Sequence, residues 1–242
     1  MMFSGKNIIA VMLVTSLYPT GAAALLIDDN YTGGGHPRDR ASLLRTNSEI
    51  YSMDVTATGS TMSVTINTNF LEASANNIGN YAVGDLFIST DGWNPSGSAA
   101  DRYASDTAST GTTWEYAFDS SAGQLLAITS ADIDVIEAPE CCRVGQETRA
   151  TGGTDTAAAV SYSGPVASTS GIWAYEYTYI FDYTLLGVQA GDVLGLHWTM
   201  TSGIDVIEGA FAIPAASVPE PAGLALLAAG LLALGASRKR AK

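Results

Sequence analysis

Between its two ends the chain has no lysine. Residues 25–218 carry six arginines against 23 of the 24 acids, a net charge of −17. Such a surface repels phosphate backbones, which argues against nucleic-acid binding. It suits an exported protein kept in solution by charge, or one that gathers cations. Cysteine is nearly absent, with only Cys141 and Cys142. Adjacent cysteines bond to each other only through a strained ring, because disulfides prefer Cα atoms ~5.5 Å apart. There is no spaced pair, hence no disulfide framework. Both read as loop residues; a vicinal disulfide, a link to another chain and a soft-metal contact are the other chemistries open to them. Histidine is just as scarce, with His36 in "GGGHPRDR" and His197 in "LGLHWTM". The chain has no G-x-S-x-G, H-E-x-x-H, P-loop or dinucleotide fingerprint. A non-enzyme is expected. The rival is a carbohydrate-active hydrolase, since 23 acids always offer some carboxylate pair and spacing along the chain does not give separation in space.

A helical period is missing too. In "TMSVTINTNF", Met62, Val64, Ile66 and Phe70 alternate with Thr61, Ser63, Thr65, Asn67 and Asn69. That is the pattern of a half-buried antiparallel strand. In "IWAYEYTYIFDYTLL" the alternation puts Trp173, Tyr175, Tyr177, Tyr179, Phe181, Tyr183 and Leu185 on one strand face, where a helix would scatter them. Further strands are expected at 50–57, 85–89, 113–118, 124–129, 157–163, 193–201 and 205–213. Turn clusters such as "DGWNPSGSAAD", "ATGGTDT" and "QAGD" separate them. The expected fold is all-β, an antiparallel β-sandwich or jelly-roll-like body over residues 25–214. The echo of "IDVIEA" at 133–138 in "IDVIEG" at 204–209 has no matching flanks and reads as chance.

Three kinds of candidate site follow. Calcium takes six to eight oxygens, and Asp28, Asp29 and Asn30, with Asp91 and Asn94, are candidate ligands; neither group has EF-hand spacing, and Asp and Asn are also ordinary turn formers. No other cofactor is expected. Flat rings stack on sugars, so a glycan site is the second candidate. The long aromatic face is expected in the core, because so many exposed rings would be a costly surface. That leaves Trp93, in a polar turn, as the candidate glycan contact. The third is His197, expected on the polar face of its strand, solvated or hydrogen-bonded rather than catalytic.

The ends read as addresses. Residues 1–24 hold Lys6, an apolar run from Ile8 to Leu17 and small residues at Ala22 and Ala24. This is the layout of a secretory signal peptide, cut after Ala24. Residues 215–242 hold Val218, Pro219, Glu220 and Pro221, then an uncharged run, then Arg238, Lys239, Arg240 and Lys242. The run lies at the lower limit for a spanning helix, and the basic end would stay cytoplasmic. The two prolines keep the preceding strip extended.

A Pro-Glu-Pro motif, an apolar helix and a basic tail, in that order, resemble a PEP-CTERM sorting signal. More loosely, "IDDNYTGGGHPRDR", "GDLFISTDGWNP" and "LHWTMTSGIDVIEG" resemble the β-rich bodies of PEP-CTERM proteins. In such bodies a cysteine is expected within "TMTSG", where this chain has Ser202. The resemblance implies export, transient retention in the inner membrane by Ala222–Ala236, and cleavage near Val218–Pro221 by an exosortase, a membrane-embedded cysteine protease. It further implies release to the cell surface or extracellular matrix of a Gram-negative, biofilm-forming bacterium, with exopolysaccharide as a candidate partner. The expected role is structural or adhesive, and a lectin-like glycan-binding module is the first alternative.

Overall fold

The computed structural model describes residues 22–31, 33, 45–72, 81–137 and 143–215. The strands are β1 (Ala22–Asp28), β2 (Ile50–Thr58), β3 (Thr61–Thr68), β4 (Val83–Ser89), β5 (Tyr116–Asp119), β6 (Gln124–Ala127) and β7 (Ile133–Val135). They continue as β8 (Glu147–Ala150), β9 (Thr154–Asp155), β10 (Val160–Ala167), β11 (Tyr175–Asp182), β12 (Val193–Met200) and β13 (Val206–Ala212). One sheet has the order β1-β2-β3-β11-β10, a second the order β13-β12-β4-β5-β6-β9, and among the described residues β7 pairs with β8 alone. Every pairing is antiparallel. The all-β expectation holds.

One apolar cluster takes inward residues from both large sheets: Val55, Val64, Ile66, Tyr177 and Tyr179 from the first, and Leu86, Phe118, Leu196 and Trp198 from the second. Burial at roughly 25 cal/mol per Å2 of apolar surface is what drives the two faces together. The middle of the expected aromatic face is core: Tyr177, Tyr179 and Phe181 are buried, whereas Trp173 lies before β11 and both it and Tyr175 are half-buried. The buried polar tips find partners there. Trp198 Nε1 donates to the Tyr179 hydroxyl at 2.8 Å, and Tyr177 donates to the Phe70 carbonyl at 3.1 Å. The alternation stops at Asp182, where a 3-10 turn over Tyr183–Leu186 shifts the phase. Leu186 then points inward, and Leu185 is left exposed.

The second sheet is covered on its other face as well. Phe87, Trp114, Ala117 and Ile128 form a second buried cluster, with Ile133 of β7 and Ala150 of β8 packed on it. Of the two states expected for His197, solvated or hydrogen-bonded, the structure shows the second: β12 is buried on both faces and His197 is fully enclosed, with both ring nitrogens hydrogen-bonded.

The predicted signal cut falls within β1. Ala22, Ala23 and Ala24 pair with Thr58, Ala57 and Thr56 at the sheet edge. Of the three, Ala22 and Ala24 are exposed. The rest of the expected signal peptide lies outside the described residues, as do Cys141 and Cys142.

Candidate functional site

A pocket of about 410 Å3 opens at the seam where β1 of the first sheet meets β13 of the second. Its walls are Asp28 and Asn30 at the end of β1, Glu208 of β13, and the rings of Tyr31, Trp93 and Tyr103. β13 approaches β1 closely because residue 209 is glycine; a Cβ there would lie 2.7 Å from Ile27.

The loop that carries Trp93 and Tyr103 is braced from within. The Asp101 carboxylate accepts from the amides of Ser98 and Tyr103. The Asp106 carboxylate accepts from the Ser96 amide at 2.8 Å and from the Tyr31 hydroxyl at 2.9 Å. Gly111 fits beside it because a Cβ would collide with the Asp106 carboxylate. Arg102 and Tyr103 both hold positive φ, at 53° and 55°. Two such residues in succession cost on the order of 1–3 kcal/mol each and concentrate at binding walls. Tyr103 stacks on Tyr31 at 6.1 Å and meets Trp93 edge-on at 5.2 Å.

Behind the pocket runs a buried polar chain. Trp93 Nε1 donates to Glu208 Oε2 at 2.8 Å. Glu208 Oε1 meets His197 Nδ1 at 2.8 Å, and His197 Nε2 donates to the Glu147 carbonyl at 2.7 Å. Glu147 Oε1 accepts from Trp114 Nε1 at 2.8 Å. Burial disfavours a charged His197, but its hydrogen bond to Glu208 and the charges of Glu208 and Glu147 outweigh that and raise its pKa. Burial pushes the Glu147 carboxyl up to about 7. Glu147, His197 and Glu208 place ligand atoms within 4.8 Å of one another, as a metal site would. The carbonyl can only accept, so Nε2 carries a proton; a neutral ring would then turn its Nδ1 lone pair toward the Glu208 carboxylate, and the raised pKa favours a proton there instead. His197 and Glu208 form a buried ion pair when the ring is protonated, with the Glu147 carboxyl as a neighbouring acid.

A second acidic group lies nearby. Asp29, Glu49 and Asp205 also bring oxygens within 4.8 Å of one another. Arg143 Nη1 pairs with Asp205 Oδ1 at 2.9 Å, and the Ile50 amide donates to Asp205 Oδ2 at 2.7 Å. Burial first, then the charge of Asp205, raises the Asp29 carboxyl to about 8. Of the five candidate calcium ligands, Asp29 alone enters such a group. Asp28 and Asn30 line the pocket instead. Asp91 and Asn94 close a turn, with Asn94 Nδ2 donating to the Asp91 carbonyl at 3.1 Å. Trp93, the candidate glycan contact, is half-buried in the pocket wall. Sequence reasoning missed Glu208, Tyr31, Tyr103 and Glu147. Tyr31, Trp93, His197 and Glu208 nonetheless all fall within the three body stretches singled out in the sequence, and the fold brings those stretches to one seam.

The C-terminal residues are decided by comparison. Residues 217–240 match the family model of the PEP-CTERM protein-sorting motif. The chain carries a PEP-CTERM sorting signal. The match takes in Val218–Pro221 and Arg238–Arg240, all outside the described residues. A PEP-CTERM signal implies an exosortase-sorted, exported protein of the Gram-negative cell envelope or surface. No curated protein and no solved structure matches the chain. Among the described residues, no helix is long and apolar enough to cross a membrane.

Proposed function

We propose that the exported body is a non-enzymatic adhesive module of the cell-surface matrix that holds a sugar residue in the seam pocket. The jelly-roll-like body would act as the platform, and the exosortase route would set it among matrix polymers. The observation that carries this reading is the pocket with three aromatic walls, large enough for a monosaccharide and inside the usual 300–1,000 Å3 range of ligand sites. Aromatic side chains at an open site stack on apolar sugar faces, and Asp28 and Asn30 would orient hydroxyls. A glycan array probed with the full chain in a neutral, non-glycoside detergent tests it. Binding to some glycans, abolished by Trp93→Ala, is expected; an empty array refutes it.

A hydrolase is the second reading, favoured by the close group of Asp29, Glu49 and Asp205 and the raised Asp29 carboxyl. Against it, both Asp205 oxygens already serve structural partners, Arg143 and the Ile50 amide. A free nucleophile or base is not among that aspartate's roles. Release of reducing ends from matrix polysaccharide, lost in Asp29→Asn, would turn the assignment to an enzyme.

A further inference from the structure

The polar side chains of the seam pocket are unbalanced in a way that selects among sugars. Trp93 spends its indole N–H on Glu208, and Tyr31 spends its hydroxyl proton on Asp106, with Gln146 Oε1 at 3.2 Å. Among the lining residues this leaves the Asn30 amide and the Tyr103 hydroxyl as side-chain donors. The acceptors are the Asp28 carboxylate, the Asn30 side-chain carbonyl and the tyrosine hydroxyl oxygens, while both Glu208 oxygens are already engaged by Trp93 and His197. Neither lysine nor arginine is among the lining residues described.

The surroundings deepen the imbalance. Asp106 lies directly behind Tyr31, and its carboxyl is raised by burial first and then, among other causes, by the Glu208 charge. Asp29 follows Asp28 at the rim and is raised for like reasons, although Arg102 and Arg143 partly offset them. Glu208 acts on Asp106, and Asp205 and Glu49 act on Asp29, so acids crowd the back of the pocket, with His197, Arg102 and Arg143 offsetting part of their charge. Ring faces add to the pull on a cation, since the faces of Trp and Tyr attract cations within about 6 Å. A uronate or phosphorylated sugar would be repelled here. A neutral sugar can meet the Asp28 carboxylate with hydroxyl donors but leaves its charge uncompensated. A sugar that brings its own cation supplies N–H donors and the missing charge together.

We propose that the pocket takes a hexosamine residue bearing a free ammonium group, as in an N-deacetylated amino-sugar polymer, with the ammonium against the Trp93 and Tyr103 rings and the exposed Asp28 carboxylate. This rests on the glycan-binding reading above and names the class of glycan. Asp28 is the exposed acid of the set, so it carries charge selectivity without serving the fold.

The test is calorimetric titration of the full chain, in a neutral polyoxyethylene detergent, with four probes: a glucosamine oligomer, its fully N-acetylated counterpart, a glucose oligomer and tetramethylammonium. The glucosamine oligomer should bind at least tenfold tighter than the other three. Asp28→Asn should weaken it severalfold, and Trp93→Ala should abolish it. Trp93→Phe keeps a ring but removes the N–H to Glu208, and should retain part of the binding. Circular dichroism of each variant confirms the fold. Equal binding of acetylated and free oligomers through Trp93 would overturn the ammonium assignment and leave the glycan-binding reading standing. Tetramethylammonium binding as tight as the oligomer would overturn the sugar assignment. No binding by any probe would overturn this proposal, and the empty glycan array separately decides the broader reading.

Discussion

Asp85 provides a measurable test of how the body handles buried acid. It is 2 % exposed, at the start of β4 in the middle of the second sheet. Its two oxygens accept from the amides of Ser120 and Ala150, each at 2.8 Å. Burial nonetheless dominates and raises its carboxyl from 3.8 to about 6. The folded state therefore binds this proton more tightly than the unfolded chain does. Its contribution to stability is full below the unfolded value and is lost as pH rises through the folded one. A shift of roughly two units, at ~1.4 kcal/mol each, amounts to about 3 kcal/mol across that window. Glu147, raised to about 7, and Asp29, raised to about 8, act in the same direction over windows reaching higher pH. His197, also raised, loses its contribution as pH rises past its folded value. Asp132 and Asp182 are lowered by their threonine hydrogen bonds and act oppositely, but only at more acid pH. Urea denaturation of the full chain, followed by tryptophan fluorescence from pH 4.5 to 8, should show stability falling by at least ~2 kcal/mol. Asp85→Asn should flatten the lower part of that slope, while costing about 1–3 kcal/mol at pH 5 because its amide group would face a backbone donor. Stability that is constant or rises across this range would refute the reasoning, as would an unchanged slope in the variant.

His197→Phe keeps the ring but strips the donors from Glu208 and the Glu147 carbonyl; a loss of about 3–5 kcal/mol in urea is expected. Trp198→Ala removes the largest fully buried side chain and the donor to Tyr179. It should cost about 3–5 kcal/mol, a fall in Tm of roughly 10 °C or more. Ser202 has a buried hydroxyl with no hydrogen-bond partner among the described residues. Ser202→Ala should therefore be neutral or stabilise by up to ~1 kcal/mol, and a clear loss in thermal melting would reveal an interaction there. Mass spectrometry of the mature protein should find a chain lacking Arg238–Lys242; a chain that still carries them would show that the tail is kept as an anchor.

The strands were legible because apolar residues alternate. Met62, Val64 and Ile66 in β3, and Tyr177, Tyr179 and Phe181 in β11, fall on the inner face as their period requires. The period says nothing about whether the outer face is dry. His197 sits at a polar position of β12, yet the chain between β4 and β8 folds over it, a long-range event with no local trace. β8 was missed because "ETRA" shows no apolar alternation; it is buried through Glu147 and Thr148, whose polar groups find partners only in the folded protein. Trp93 was legible as an unusual ring in a polar turn. Glu208 was not, because a lone glutamate in "VIEG" looks like any solvated strand residue until Trp93 and His197 are placed on either side of it. The repeated "IDVIE" string shows the same limit. Asp134 is exposed in β7, whereas Asp205 is buried against Arg143 just before β13.

Glu208 joins two parts of the molecule that a loop would ordinarily leave independent. One oxygen grips His197 inside the sheet, and the other grips Trp93 on the pocket wall. The indole is thus set in place in the free protein, and the sugar proposed for the pocket would not have to order it. Immobilising such a side chain on binding would otherwise cost about 0.5–1.5 kcal/mol. A wall carried on a loop gains the stiffness of a strand, so cutting the tether at His197 should weaken ligand binding at a distance without removing a single contact with the ligand.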